Sequence, residues 1–256
     1  MKETAVKFNI PYGTLKGALV RHGLRIPTHK VKNISWNKCP DITYFDVIDS
    51  HEKAYYLGFI YADGSISSGN YPNSKVFSFG LQQSDEYILQ NLLNAFGINI
   101  GLTRSKKASR INLYNKHLCE ALSALGVQEQ KSYKDFKIPN INEEFISSFI
   151  LGYFDGDGCI SLPTKYKGKQ AYVGITCNSK IFLTDVQFIL QKYNINSSIR
   201  QVQKPKNILY VLEICKKSEY LKFSDYIYSN FSNSLTRKKD KFNEVKSKNN
   251  YGVTNN

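Results

Sequence analysis

Two aspartates, Asp63 and Asp157, each stand beside a glycine at the end of a nearly duplicated apolar stretch. The first stretch reads Tyr56-Leu-Gly-Phe-Ile-Tyr-Ala-Asp-Gly64 and the second Ile150-Leu-Gly-Tyr-Phe-Asp-Gly-Asp-Gly158. Each runs on into a matching tripeptide, Ser65-Ile66-Ser67 or Cys159-Ile160-Ser161. A repeat of this kind means two similar units in one chain, related by a pseudo-two-fold axis. Paired carboxylates, joined by the backbone carbonyls of Ala62 and Gly156, form an oxygen-donor set suited to magnesium. Metal held there supplies a hydroxide at neutral pH and stabilises negative charge developing on a phosphodiester.

The elements that must bring the two acids together can be read from the same stretches. Gly58 and Ala62, like Gly152 and Gly156, are four residues apart and share one face of a helix. Small side chains on that face let two helix backbones approach closely. An interior glycine costs a helix roughly 0.5–1 kcal/mol relative to alanine, which close packing can offset. Gly64 and Gly158 are expected to end the two helices in a left-handed turn. The acids then lie in the last turns, where the helix dipole disfavours a carboxylate and a shared cation would relieve both.

Beyond each motif the periodicities repeat. Strands are predicted over Lys75–Gln82 and Ala171–Cys177, then amphipathic helices over Asp85–Phe96 and Ile181–Tyr193. Two strand pairs follow, Ile98–Ser105 with Arg110–Tyr114 and Ile195–Gln203 with Leu209–Ile214, and helices Lys116–Leu125 and Lys217–Ser229 close the units. The fold class is α+β. A net charge of +14, from 35 Lys+Arg against 21 Asp+Glu, favours a polyanion, and double-stranded DNA matches a two-fold site. No apolar span, signal peptide or lipidation signal points to a membrane. Five scattered cysteines without a Cys-x-x-Cys pair read as reduced core residues of an intracellular protein (cytoplasm, nucleoid or organelle matrix), not as zinc ligands.

Polar residues along the predicted strands are candidates for DNA contact. They are Arg104, Lys106, Arg110 and Asn112 in the first half, and Arg200, Gln201, Gln203 and Lys204 in the second. Ser67, Asn70, Tyr71 and Lys75 flank the first turn; Lys165, Lys167, Lys169 and Gln170 flank the second. A β-ribbon fits the major groove, where Arg favours guanine edges and Asn or Gln favours adenine, while lysines meet phosphates.

Both apolar stretches resemble the nine-residue LAGLIDADG motif of homing endonucleases, and two copies resemble the single-chain members of that family. The resemblance spans residues 46–245 and implies an α-β-β-α-β-β-α unit per repeat. It also implies motif helices at the interface, sheets forming a DNA-binding saddle, and a monomer with internal pseudo-symmetry. The activity it implies is magnesium-dependent cleavage of both DNA strands across the minor groove, with two or more ions at the repeat interface and 3′ overhangs. By the same resemblance, Gln83 and Asn178 correspond to a polar position near the metal. Lys131 and Lys238 correspond to the active-site lysine, with Lys239 a rival to Lys238. Tyr61 replaces an aspartate that Asp155 retains. Because the later aspartate is the family's metal ligand, that departure bears on packing rather than catalysis.

The chain therefore divides into an extension with a linker at 1–45, repeats at 46–140 and 141–246, and a disordered tail at 247–256. The extension resembles a helix-turn-helix, with Pro11 at a helix start and Thr14, Lys16, Arg21 and His22 facing DNA. The alternative reading is a non-cleaving nucleic-acid binder: a maturase assisting intron RNA, or a transcription regulator. A degenerate regulator would be expected to lose metal ligands, and both are kept. A self-splicing intein is disfavoured, since neither an initiating Cys or Ser after Met1 nor a closing His-Asn pair is present.

Overall fold

The structure is a computed structural model, and it describes residues 10, 11, 14, 18, 43–69, 74–128, 135–161, 172–203 and 208–250. The chain divides into two compact units, Met1–Lys38 and Cys39–Asn256. In the first, the Thr14 amide donates to the Pro11 carbonyl at 2.9 Å; the rest of the expected helix-turn-helix, with Lys16, Arg21 and His22, lies outside the described residues.

In the second unit the repeats follow each other. The first runs α1 (His51–Asp63), β1 (Gly64–Ser68), β2 (Lys75–Gln82), α2 (Glu86–Ala95), β3 (Thr103–Arg104), β4 (Ala108–Leu113) and α3 (Lys116–Ala124). The second runs α4 (Ile146–Asp157), β5 (Gly158–Ser161), β6 (Tyr172–Cys177), α5 (Lys180–Lys192), β7 (Ser198–Gln203), β8 (Ile208–Ile214) and α6 (Lys217–Ile227). Each repeat forms a four-stranded antiparallel sheet, ordered β1-β2-β4-β3 or β5-β6-β8-β7. This is the α+β architecture the periodicities predict. Tyr44 and Phe45, ahead of α1, stack edge-on against Phe96 and belong to the core of the first repeat.

Alternation along the strands sets two faces per sheet. Phe77, Phe79, Ile111 and Leu113 point to the helices in the first sheet; Val173, Ile175, Leu212 and Ile214 do so in the second. The opposite face of each sheet is open.

Three local expectations are corrected. Residues 98–102 are not strand: Gly97 (φ 65°) ends α2, the Ile98 amide returns to the Leu93 carbonyl at 2.8 Å, and Ile98 is buried. Apolar residues there serve core packing under a loop. Lys180 opens α5 behind the Ser179 cap, whose hydroxyl accepts from the Phe182 amide. A further helix, α7 (Thr236–Asn250), follows α6 and takes in residues 247–250 of the tail expected to be disordered. Its polarity hid it, since Phe242 and Val245 are its main apolar contributions to the core.

The segments that follow α3 and α6 cross to the opposite repeat. After α3, the Phe136 amide donates to Ser179 Oγ (3.1 Å), Ser179 Oγ donates to the Phe136 carbonyl (2.8 Å), and the Ile138 amide reaches Asp185 Oδ2 (3.4 Å). After α6, Tyr87 Oη donates to the Ser234 carbonyl (3.0 Å) and accepts from the Thr236 amide (2.9 Å). Arg237 Nε meets buried Asp85 Oδ2 at 2.9 Å, and that oxygen also accepts from Gln82 Nε2. Each repeat is thus tied across the pseudo-dyad by the other's closing segment.

Candidate active site

The motif helices α1 and α4 are buried along almost their whole length, as their uninterrupted apolar sequences require. Their backbones touch at the small residues. A Cβ on Gly58 would fall on the Phe149 carbonyl oxygen, and one on Gly152 would fall on that of Tyr55. Further along, a Cβ on Gly156 would meet the Ala62 methyl and stand 3.1 Å from Asp63 Oδ2. The Asp63 carboxylate therefore lies over the α4 backbone one residue before Asp157. Both acids are exposed at the ends of their helices.

Gly64 and Gly158 do not adopt the left-handed turn expected of them. Their φ,ψ values are −76°, 158° and −84°, 152°, and the chain passes from the last helical residue straight into β1 or β5. They are glycines for space: a Cβ would strike Ile60 in one case and Phe154 in the other. A direct helix-to-strand passage sets each acid between a helix end and the first residue of a sheet edge.

The surroundings of Asp157 are well defined. The buried Tyr153 hydroxyl, one helical turn earlier, bonds with Asp157 and with Cys177 at the end of β6. Burial first, then the neighbouring Cys177 and Asp157, holds that phenol above its ordinary pKa. Phe59 occupies the corresponding place in α1 and offers no hydroxyl.

Lys238 lies buried at the C-terminal end of α4. Its ammonium donates to the carbonyls of Phe154 (2.5 Å), Asp155 (2.8 Å) and Gly158 (2.6 Å) and stands 5.0 Å from the Phe154 ring. All three protons of the ammonium are engaged. A cation there opposes the negative helix pole that Asp157 occupies. Burial lowers its pKa to about 8, against the upward pull of Asp155, Asp63 and Asp157. Lys239, its rival in sequence, turns instead to the Tyr228 ring at 5.5 Å.

Asp155 is buried within the interface. Its Oδ2 accepts from Tyr55 Oη of α1 (2.9 Å) and from the Leu235 amide (2.8 Å), while Oδ1 is buried without a hydrogen-bond partner among the described residues. Burial raises its pKa to about 7 despite the Leu235 amide and the Lys238 charge. At the matching position of α1, Tyr61 donates to the Leu125 carbonyl at 2.5 Å. Gly126 has a φ of 102°, and a Cβ there would strike the Tyr61 hydroxyl.

The chemistry of the donor set, two exposed carboxylates and main-chain carbonyls, fits a hard divalent cation. Among the described residues no cluster of three or more His, Cys, Asp or Glu side chains could hold a metal by itself. Asp63, Asp157 and the carbonyls of Ala62 and Gly156 are the oxygen donors at this end of the two helices that could hold such a cation. Gln83 is exposed at the first position of the 3₁₀ turn Gln83–Asp85, its amide donating to the Lys107 carbonyl at 3.2 Å. Asn178 is half-buried in the equivalent place after β6, beside Cys177. Lys131 lies outside the described residues.

The strand register sorts the candidate DNA contacts. Arg110 and Asn112 are exposed on the open face of the first sheet, with Ser78 Oγ donating to Asn112 Oδ1 at 2.7 Å. Ser67 shares that face, and Lys106 is exposed in the turn before β4. Arg104 does not serve the open face. It pairs with Ser109 on the helix side and forms an ion pair with Glu86 of α2, Nε to Oε2 at 2.9 Å. Lys75, opposite Ser68, takes the helix-side register as well. In the second sheet Arg200 lies on the open face, whereas Gln201 and Gln203 alternate with it toward the helix side. The period-2 rule, applied from a correct strand start, would have separated them. Asn70, Tyr71, Lys165, Lys167, Lys169, Gln170 and Lys204 lie outside the described residues.

The cysteine expectation also needs correction. Cys119 and Cys177 are buried free thiols, but Cys159 and Cys215 are exposed. No helix among the described residues is long and apolar enough to cross a membrane.

Two packed motif helices, an acid at the end of each, and two four-stranded sheets define the LAGLIDADG homing endonuclease fold. Comparison with known proteins agrees. Residues 52–144 match the WhiA LAGLIDADG-like domain and residues 144–228 the LAGLIDADG-like domain. The I-LtrWI LAGLIDADG homing endonuclease bound to target DNA superposes with a TM-score of 0.54 at 13% identity, covering 81% of this chain and 90% of that one. I-DmoI in complex with DNA and Ca gives 0.53 at 17% identity, over 79% and 98% of the two chains. The chain belongs to the LAGLIDADG family, as a member carrying two motifs.

Among curated relatives, the DNA-directed RNA polymerase subunit Rpo1C of Methanocaldococcus jannaschii is 28% identical over 156 residues, 57% of this chain. A probable translation initiation factor IF-2 of the same organism is 24% identical over 204 residues, 75% of this chain. The matched region is 16% of the length of each relative.

Proposed function

We propose that the protein is a site-specific DNA endonuclease that makes a magnesium-dependent, staggered double-strand break. The observation that carries this reading is the approach of Asp63 to α4 beside Asp157. Two acids at one pseudo-dyad suit two scissile phosphates on opposite strands, and one chain supplies both. Bound magnesium would supply an activated water and charge stabilisation at the phosphate. Asp63 and Asp157 would hold it with the carbonyls of Ala62 and Gly156. Lys238, fixed by three carbonyls, places a positive charge behind Asp157, and Gln83 and Asn178 stand at matching positions to orient water or phosphate oxygens.

The relatives also support a module whose role is its own. A polymerase subunit and an initiation factor have different names and purposes, yet share this region as a small part of their length. A second reading, DNA binding without cutting, has one observation in its favour: the first repeat matches the WhiA LAGLIDADG-like domain. Both acids being in place weighs against it.

The test is incubation of the protein with a randomised duplex library in magnesium or EDTA, followed by sequencing of broken ends. Magnesium-dependent breaks at one long site, with staggered 3′ ends, are expected. Selective binding without breaks in magnesium would transfer the weight to the second reading.

A further inference from the structure

The two open sheet faces differ in how they hold their arginine. In the first sheet Arg110 stands opposite Gly80, and a Cβ on that glycine would lie 3.0 Å from Arg110 Nε. In the second, Arg200 of β7 reaches diagonally across to Glu213 of β8, with Nη2 at 2.7 Å and Nε at 3.2 Å from one carboxylate oxygen. The Arg200 side chain is 54% exposed and that of Glu213 is 18% exposed. A carboxylate this near the middle of a surface that meets a polyanion is electrostatically unfavourable, so its place there calls for a reason.

A guanidinium has two flat donor edges. Glu213 occupies the side edge, formed by Nε and Nη2. The end edge, formed by Nη1 and the second proton of Nη2, points away from the carboxylate. That edge has the spacing of the O6 and N7 acceptors of guanine in the major groove. Resting on the proposal that the open faces meet DNA, we infer that Arg200, braced by Glu213, is a pre-set guanine reader. It would fix one G·C pair in the half-site under the second repeat.

Its surroundings sharpen the assignment. Val202 and Val211 share the face with Arg200, and Tyr172, Cys159 and Gly174 lie beside Glu213. Among the described residues these neighbours bring no second cation to the face beside Arg200. Arg104 makes a similar pair with Glu86 but behind the sheet, where it cannot meet a base.

The experiment is selection of bound duplexes from a randomised library in calcium, for the wild type, Arg200→Ala and Glu213→Gln, with affinity measured against salt. The wild type should select a site with one strongly preferred G·C pair that loses its preference on the order of tenfold or more in Arg200→Ala. Glu213→Gln should weaken the same pair by less and leave every other position unchanged. A uniform loss of affinity in Arg200→Ala, with all base preferences kept and the salt slope reduced by about one, would make Arg200 a phosphate contact and overturn the inference. If the wild type selects no sequence, DNA recognition itself fails and the inference with it. If it selects a site but cuts nothing in magnesium, the endonuclease reading alone fails.

Discussion

At the sixth position of the motif the first helix carries Tyr61 and the second carries Asp155. Tyr61 donates a hydrogen bond to the carbonyl of Leu125, just past α3; Asp155 accepts one from the amide of Leu235, just before α7. Each ties a motif helix to the segment that follows the last helix of its own repeat, with donor and acceptor exchanged. The exchange changes the electrostatics. Tyr61 is neutral at any physiological pH, whereas Asp155 brings a buried titratable group that answers to Lys238. Pseudo-symmetry thus preserves geometry while freeing chemistry: the residue at the tie can change as long as the helix stays in place.

The comparison can be broken most sharply where the halves are alike. Gly58→Leu and Gly152→Leu both push a side chain into the facing backbone, so each should destabilise the protein by about 3 kcal/mol or more. For a domain of this size that lowers Tm by roughly 6–12 °C, measured by calorimetry. Equal, small losses at either position would contradict the packing at the dyad.

The next effect separates the halves. Lys238→Met should remove three buried hydrogen bonds at the end of α4, leaving the Phe154 carbonyl only the Gly158 amide, and cost on the order of 2–4 kcal/mol. Cleavage should fall most on the strand served by Asp157, as read by strand-labelled duplexes. Unchanged stability would mean that the capping bonds are dispensable.

Asp155 adds a pH dependence that Tyr61 cannot. Its folded pKa of about 7 lies above the unfolded carboxyl value near ~4, so the native state holds the proton more tightly. Its contribution to stability is full below pH ~4 and lost as pH rises to about 7, on the order of 2–4 kcal/mol. Lys238, lowered to about 8, acts oppositely and restores stability from pH 8 toward the ordinary lysine value. The Tm of the wild type minus that of Asp155→Asn should therefore fall between pH 4 and 7. A constant difference would show that Asp155 is not titrating there.

Smallest are the ion pairs. Arg237→Ala removes the cross-repeat partner of buried Asp85 and should cost about 1–3 kcal/mol in denaturant unfolding, since Gln82 and Ser84 still donate to that carboxylate. Asp49→Ala breaks an exposed pair with Lys53 and should cost ~0.5 kcal/mol or less. If the two variants matched, the Arg237 bridge would be no more than a surface pair.

Much of this was legible in the chain itself, and the reason is the repeat. Duplicated spacing identified the motif helices, the small residues at their contact and the two terminal acids, because close packing restricts residue type over several turns. Strand-helix order followed from apolar periodicity. What escaped depended on register and distant partners. Arg104 and Arg200 are alike in sequence, yet one pairs with Glu86 behind its sheet and the other with Glu213 on the open face. Helix α7 is too polar to announce itself, and the role of Lys238 becomes visible only when residues more than eighty positions apart meet. Gly64 and Gly158 depart from the expected turn for a similar reason: the space they leave is defined by the preceding turn, not by the backbone angle.

The most direct test of the central claim uses the selected target duplex with Asp63→Asn and Asp157→Asn. Each variant should bind the duplex in calcium within a few-fold of wild type and lose double-strand cutting in magnesium by at least ~10²–10³-fold. Full cutting by either variant would contradict a shared metal site built from both acids.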